Sequence, residues 1–62
     1  MDIYLHKCEL AADLERNSKF KSAIKAWNLA LSYATRPKEI NWCNARIEVC
    51  INRAAGLWSQ DE

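Results

Sequence analysis

The run from Lys19 to Ala34 limits the possible folds most strongly, because its apolar residues recur at steps of three and four. This spacing places them on one continuous face of an α-helix. The residues are Phe20, Ala23, Ile24, Trp27, Ala30, Leu31 and Ala34. Ser18 precedes the run and is predicted to be its N-cap. The sequence therefore predicts a helix over 19–34 with one buried face.

A second helix is predicted before this run, over about 3–16. Asp2 is its expected N-cap, and Asn17 and Ser18 favour turns over helix interiors. One row of this helix is formed by Tyr4, Cys8, Ala11, Ala12 and Glu15, and the adjacent row by Leu10 and Leu14.

A third helix is predicted over about 37–55. Pro37 suits a first helical turn, and Glu39 adds a negative charge there that complements the helix dipole. Its main stripe is Ile40, Cys43, Ile47, Cys50, Ile51 and Ala54. Gly56 is the expected terminator, which makes 56–62 a C-terminal tail.

The first two predicted helices resemble a single tetratricopeptide unit, because small residues alternate with Phe20 and Trp27 at the expected contact positions. No second copy follows, so a repeat array is not expected. The predicted fold is all-α: a tetratricopeptide-like αα-hairpin, about 3–16 and 19–34, closed by a third helix. The predicted core is Leu10, Leu14, Phe20, Ala23, Ile24, Trp27, Ala30, Leu31, Cys43, Ile47, Cys50 and Ile51.

The length of 62 residues predicts a single domain, 1–62, with a thin margin of stability. Half of the residues are hydrophobic and three are tryptophan, which is a rich core for this length. A homodimer is expected, because small domains often add stability by self-association. The odd number of cysteines, three, favours free thiols in a reducing compartment.

The chain contains no run of about 20 apolar residues, so no membrane span is expected. The first ten residues include Asp2, His6 and Glu9, which do not suit the apolar region of a signal peptide. The expected location is the cytoplasm.

Neither metal chemistry nor catalysis is expected. His6, Cys8, Cys43 and Cys50 are four nominal ligands, but no C-x₂-C or H-x₃-H pair occurs. Cys43 and Cys50 are separated by about 10 Å of helical rise, which excludes a shared ion and a disulfide within an intact helix. The single histidine and the absence of a Gly-rich phosphate loop argue against an enzyme, and no cofactor is expected.

Basic residues favour nucleic-acid binding only weakly. They are Arg16, Lys19, Lys21 and Lys25 around the first turn, and Arg36, Lys38, Arg46 and Arg53 in and before the third helix. Acidic residues dilute this charge to a net +1, and the pI of about 7.7 is low for a DNA-binding domain. Direct DNA binding is therefore the weaker interpretation.

A second row on the third helix combines aromatic, aliphatic and arginine side chains, which are frequent in protein interfaces. Trp42, Arg46, Val49 and Arg53 form this row and are the predicted partner-binding residues. The alternative is a wide core stripe, since a helix with two neighbours buries a broad face. The sequence leaves both readings open.

The run A-A-D-L-E-R-N-S-K-F-K-S-A-I-K-A-W-N-L-A, followed by N-W-C-N-A-R-I-E-V-C, resembles the AraC negative regulator (ANR) family of small proteins from Gram-negative pathogens. The shared elements cover about two thirds of the chain. They fall on Ala12, Leu14, Glu15, Arg16, Phe20, Ala23, Trp27, Ala30, Asn41, Trp42, Arg46 and Cys50. One departure is Ser18, where the family often has glycine in the turn.

The resemblance implies a regulator without enzymatic activity that binds AraC-type activators of virulence genes and inhibits their dimerisation or DNA binding. It also implies a nucleoid-structuring protein as a further partner. The alternative function is a PerC-like regulator, from a similar group of small virulence regulators, that binds DNA directly through basic helix faces.

Overall fold

The computed structural model describes the backbone of residues 2–61 and the side chains of residues 2–56. Its described backbone forms three helices and no strand: α1, Ile3–Arg16; α2, Phe20–Tyr33; and α3, Pro37–Asp61. α1 and α3 each pack along α2. The short connections between successive helices are typical of αα-hairpins. The predicted all-α, three-helix domain is confirmed.

α1 begins and ends with defined caps. The Asp2 carboxylate accepts a hydrogen bond from the backbone N–H of Leu5 over 3.3 Å, which confirms Asp2 as the N-cap. At the other end, Ser18 N–H donates to the carbonyl of Glu15 and Lys19 N–H donates to the carbonyl of Leu14, each over 2.9 Å. This pair of bonds is a Schellman motif.

Ser18 has a φ of 61°, the left-handed conformation that a Schellman motif requires at the position after the C-cap. The prediction that Ser18 caps α2 was wrong, because Ser18 belongs to the end of α1. Lys19 occupies the N-cap of α2 without a side-chain capping bond. The backbone conformation at Ser18 is one that glycine adopts without steric cost.

α3 begins at Pro37, as predicted, and Glu39 lies in its first turn. The carboxylate of Glu39 accepts hydrogen bonds from the backbone N–H groups of Thr35 over 3.0 Å and Arg36 over 3.2 Å. Glu39 therefore stabilises the helix start through direct bonds as well as through its charge.

The predicted end of α3 near residue 55 was wrong, because the helix continues through the first part of the predicted 56–62 tail to Asp61. Gly56 does not adopt a positive φ, so it lies within the helix and does not cap it. A glycine inside a helix costs about 1 kcal/mol of helix stability relative to alanine. Glu62 lies outside the described residues.

The core consists mainly of small side chains around two large ones. Its buried residues are Cys8, Ala11, Phe20, Ala23, Trp27, Ala30, Cys43, Cys50 and Ala54. Six of the twelve predicted core residues are in this set. Four more are partly buried against it: Leu14, Ile24, Leu31 and Ile47.

Two predicted core residues are exposed: Leu10 retains 46% and Ile51 retains 47% of its accessible surface. The buried face of α1 runs through Cys8 and Ala11, and a neighbour in sequence lies about 100° around the helix from such a face. Ile51 is displaced in the same way from the buried Cys50. Both core predictions were wrong for this reason.

α1 and α3 reach each other through long side chains at two levels. At one level the Tyr4 hydroxyl donates to the backbone carbonyl of Glu39 over 3.5 Å and accepts from Cys43 Sγ over 3.8 Å. At the other level Glu15 binds Arg46.

Within the described residues, no helix combines the length and the apolarity needed to cross a membrane.

Candidate partner-binding groove

A groove of about 330 Å³ opens where the end of α1, the start of α2 and the middle of α3 meet. We call it the aromatic–arginine groove. It is lined by Ala12, Glu15, Arg16, Phe20, Trp27, Trp42, Arg46 and Arg53. Among these described lining residues, three have aromatic rings, three have guanidinium groups and one has a carboxylate.

Glu15 connects all three helices from inside the groove. Its Oε1 accepts the indole N–H of Trp27 over 2.6 Å and the Nε–H of Arg46 over 3.2 Å. Its Oε2 accepts a further bond from Nη2 of Arg46. The side chain of Glu15 is only 12% exposed and that of Arg46 is 30% exposed, so water screens this pair less than a surface pair.

The ionisation of Glu15 reflects these contacts. Burial by itself raises the pKa of this carboxyl, but the hydrogen bonds from Arg46 and Trp27 outweigh burial and hold the pKa below its ordinary value. The same bonds to Glu15 raise the pKa of the Arg46 guanidinium. Both groups are therefore charged at neutral pH and form an ion pair within the lining of the groove.

Trp42 is the most exposed aromatic side chain of the groove, with 52% of its surface accessible. Its ring meets the ring of the buried Trp27 edge-to-face, with centroids 6.4 Å apart and an interplanar angle of 84°. The guanidinium carbon of Arg46 lies over the same ring, 5.6 Å from the Trp42 centroid. Trp42 is thus held in one orientation while much of its ring faces solvent.

Two further arginines border the groove. The guanidinium carbon of Arg53 lies 5.9 Å from the ring centroid of Phe20, within the range of a cation–π contact. Arg16 forms a 3.3 Å ion pair with Asp13 on the exposed surface of α1. An exposed pair of this kind contributes little stability, so Arg16 can exchange its partner at small cost.

Three of the four predicted partner-binding residues meet in this groove: Trp42, Arg46 and Arg53. Val49 is partly buried and does not line it. Glu15 was missing from the predicted site, although it stands in the same helical row as the apolar Cys8 and Ala11. A carboxylate in an otherwise apolar helical row indicates, from the sequence alone, a partly buried ion pair.

The cysteines are packing residues in the described part of the chain. Cys8, Cys43 and Cys50 are free and buried, and the described side chains contain no group of three metal-ligating residues. Burial raises the pKa of the Cys8 thiol and, with the nearby Glu15, raises that of Cys50 to about 11. Thiols in this state are weak nucleophiles and weak ligands at neutral pH.

Comparison of the chain with family models, with curated proteins and with solved structures gives no significant match.

Proposed function

We propose that the chain is a small, non-enzymatic transcriptional regulator of the cytoplasm that binds an AraC-type activator through the aromatic–arginine groove. Binding at this groove would inhibit dimerisation or DNA binding of the activator and so modulate virulence genes. The activator class comes from the resemblance to the ANR family, and the groove supplies the physical basis for protein binding.

The observation that carries the proposal is the combination of partial exposure and fixed contacts at Trp42. A tryptophan that is half exposed yet fixed against Trp27 and Arg46 loses little conformational entropy on binding and has a large apolar area left to bury. Tryptophan and arginine together are the residues most often found at the energetic centre of protein interfaces. The groove therefore suits an apolar anchor from a partner protein.

Binding to immobilised AraC-type activators tests this proposal. The purified chain is passed over each activator, and Trp42→Ala is compared with Leu29→Ala. Leu29 is a matched control, because it is also exposed, at 45%, but lies outside the groove. We expect Trp42→Ala to weaken binding at least tenfold and Leu29→Ala to leave it unchanged, with the helical circular dichroism of both variants retained.

The regulatory step is measured on the activator itself. Sedimentation reports its dimerisation, and mobility of a promoter fragment reports its DNA binding, each with and without the chain. Absence of binding to any activator would contradict the proposed function. Equal binding by Trp42→Ala and the unchanged chain would contradict the groove as the contact surface.

The alternative, a PerC-like regulator, makes a different prediction in a titration with duplex DNA. Binding through several phosphates weakens steeply as salt rises, whereas a protein-binding groove gives weak DNA binding at both low and moderate salt. In the groove, the charge of Arg46 is paired with the partly buried carboxylate of Glu15, and the net charge of the chain is only +1. This pairing favours protein binding over DNA binding.

We also propose that the chain forms a homodimer. Among the described side chains, eight large apolar residues keep 38% or more of their surface exposed, which is substantial for so short a chain. They are Ile3, Leu5, Leu10, Leu29, Tyr33, Ile40, Trp42 and Ile51. Sedimentation at micromolar concentration tests this proposal, and a purely monomeric profile would contradict it.

A further inference from the structure

The charges along the aromatic–arginine groove have a regular spacing. Arg46 and Arg53 both line it from α3, seven residues apart, so their Cα atoms are separated by about 10.5 Å along the helix axis. Seven residues make almost two full turns, which keeps the two arginines on one face. A second helix lying along this face would meet the two positive groups at the same interval.

Both arginines can bind a ligand carboxylate without losing their present contacts. The bonds from Arg46 to Glu15 use its Nε and Nη2, and a guanidinium has donors on Nη1 as well. Arg53 stacks over Phe20 and takes part in neither of the two salt bridges found among the described residues. A guanidinium on an aromatic face still presents its edge to an acceptor.

The groove also has an apolar part beside these charges. Trp42 lies four residues before Arg46, and Trp27 and Ala12 also line the groove. Glu15, the carboxylate among the described lining residues, is already bound by Arg46 and Trp27. A ligand carboxylate therefore meets little uncompensated negative charge, and a ligand apolar side chain meets the half-exposed face of Trp42.

We propose that the occupant of the groove is an acidic amphipathic helix of the partner protein, with two carboxylates seven residues apart and an apolar side chain that contacts Trp42. The carboxylates would bind Arg46 and Arg53. This inference rests on the proposed function, because it specifies the kind of segment that an activator would present. Helix-in-groove binding with charged flanks is a common mode of peptide recognition.

The charge pattern favours a peptide over a nucleic acid. A phosphate backbone places one charge every few ångströms and requires a row of unpaired cations. Here the two arginines on α3 are about 10.5 Å apart, and the net charge of the chain is only +1. Two carboxylates spaced along an apolar helix match this modest, interrupted positive charge more closely.

The probe is a synthetic fluorescein-labelled helical peptide of about four turns, with one leucine stripe and two glutamates seven positions apart. Its twin carries glutamine at both glutamate positions. Fluorescence anisotropy is expected to give a Kd on the order of 50 µM for the acidic peptide. We expect about tenfold weaker binding for the glutamine twin, since each exposed pair contributes modestly.

Variants of the chain identify the contact. Arg53→Gln removes the positive charge at the far end of the groove and should weaken the acidic peptide about fivefold, with little effect on the glutamine twin. Arg36→Gln is the matched control, because Arg36 is also exposed and does not line the groove. Circular dichroism verifies that both variants remain helical.

Three outcomes would overturn the inference: no binding of the acidic peptide, equal binding of the two peptides, or equal losses for Arg53→Gln and Arg36→Gln. Tighter binding of duplex DNA than of the peptide, lost in Arg53→Gln, would also overturn it in favour of a phosphate site.

The two sets of experiments distinguish a failure of this inference from a failure of the proposed function. An activator bound through Trp42 with no preference for the acidic peptide would retain the function and reject the acidic helix. Binding of the acidic peptide without binding of any activator would reject the proposed function and retain an acidic helix as the occupant of the groove.

Discussion

The indole N–H of Trp27 and the carboxylate of Glu15 are joined by a 2.6 Å hydrogen bond between α2 and α1, and Arg46 of α3 completes the contact. One carboxylate thus satisfies the only polar atom of the largest core side chain and fixes an arginine from the third helix. No buried side-chain nitrogen or oxygen in the described residues lacks a hydrogen-bond partner. The bridge explains how a core with a tryptophan indole remains fully paired.

Glu15→Gln should lower the free energy of unfolding by about 2 kcal/mol, because it removes the charge that Arg46 and Trp27 bind. Its pH dependence provides a second test. The folded pKa of Glu15 lies below the unfolded value of about 4.3, so its stabilisation is present above that pH and is lost as pH falls through the folded pKa.

Urea unfolding between about pH 3 and pH 7 measures both effects. The unchanged chain should lose more stability on acidification than Glu15→Gln does. Glu48→Gln is the control, because Glu48 is an exposed carboxylate on α3 outside the groove. Parallel pH profiles for the unchanged chain and Glu15→Gln would show that the bridge contributes no pH-dependent stability.

Ser18→Gly should stabilise the chain by about 1 kcal/mol, because a non-glycine residue is strained at a φ of 61°. Ser22→Gly places the same substitution at an exposed position inside α2 and should destabilise it by about 0.5–1 kcal/mol. Thermal or urea unfolding of the two variants gives the comparison. Destabilisation by both would mean that Ser18 does not hold a left-handed conformation in solution.

Gly56→Ala should stabilise α3 by about 0.5–1 kcal/mol, since Gly56 has a helical φ and an added Cβ would meet no atom within 4 Å. The reverse change at the neighbouring residue, Ala55→Gly, should cost a similar amount. Helical circular dichroism and urea unfolding check both. A helix that ended at residue 55 with Gly56 as a left-handed cap would instead be destabilised by Gly56→Ala.

The three thiols should be protected in the native state. At pH 8 the Cys50 thiol, with a pKa of about 11, is ionised in about one molecule in a thousand, and all three thiols are protected by burial. Reaction with a chromogenic disulfide should be slow in buffer and fast for all three in urea. The Asn44→Cys variant adds an exposed thiol on α3 and should react at once. Equally rapid native labelling of the original thiols would contradict the packed core.

Periodicity in the sequence was sufficient to predict the helices, because each buried face recurs at helical steps. The end of α3 was not predictable from Gly56 alone, since glycine is compatible with both a cap and a helix interior. Ser18 was assigned to the wrong helix for a similar reason. Serine is a frequent N-cap, and only the backbone geometry reveals that it follows the C-cap of α1.

The groove was predicted in part. Trp42, Arg46 and Arg53 share a helical row and could be found by spacing, but their neighbours on α1 and α2 depend on how the helices pack. The partner of Arg46 also depends on packing, because Glu15 is 31 residues away in sequence. Local patterns identify which residues share a helical face, whereas tertiary packing decides which faces meet.

The small side chains of the core affect how the chain responds to heat. Seven of the nine buried residues in the described part of the chain are alanine or cysteine, so their exposure on unfolding adds a limited apolar area. For 62 residues the heat-capacity change of unfolding should be no more than about 0.8 kcal/mol/K, and the unfolding enthalpy is correspondingly small. The melting transition should therefore be broad, and a modest gain in free energy from a bound partner should shift its midpoint by several degrees.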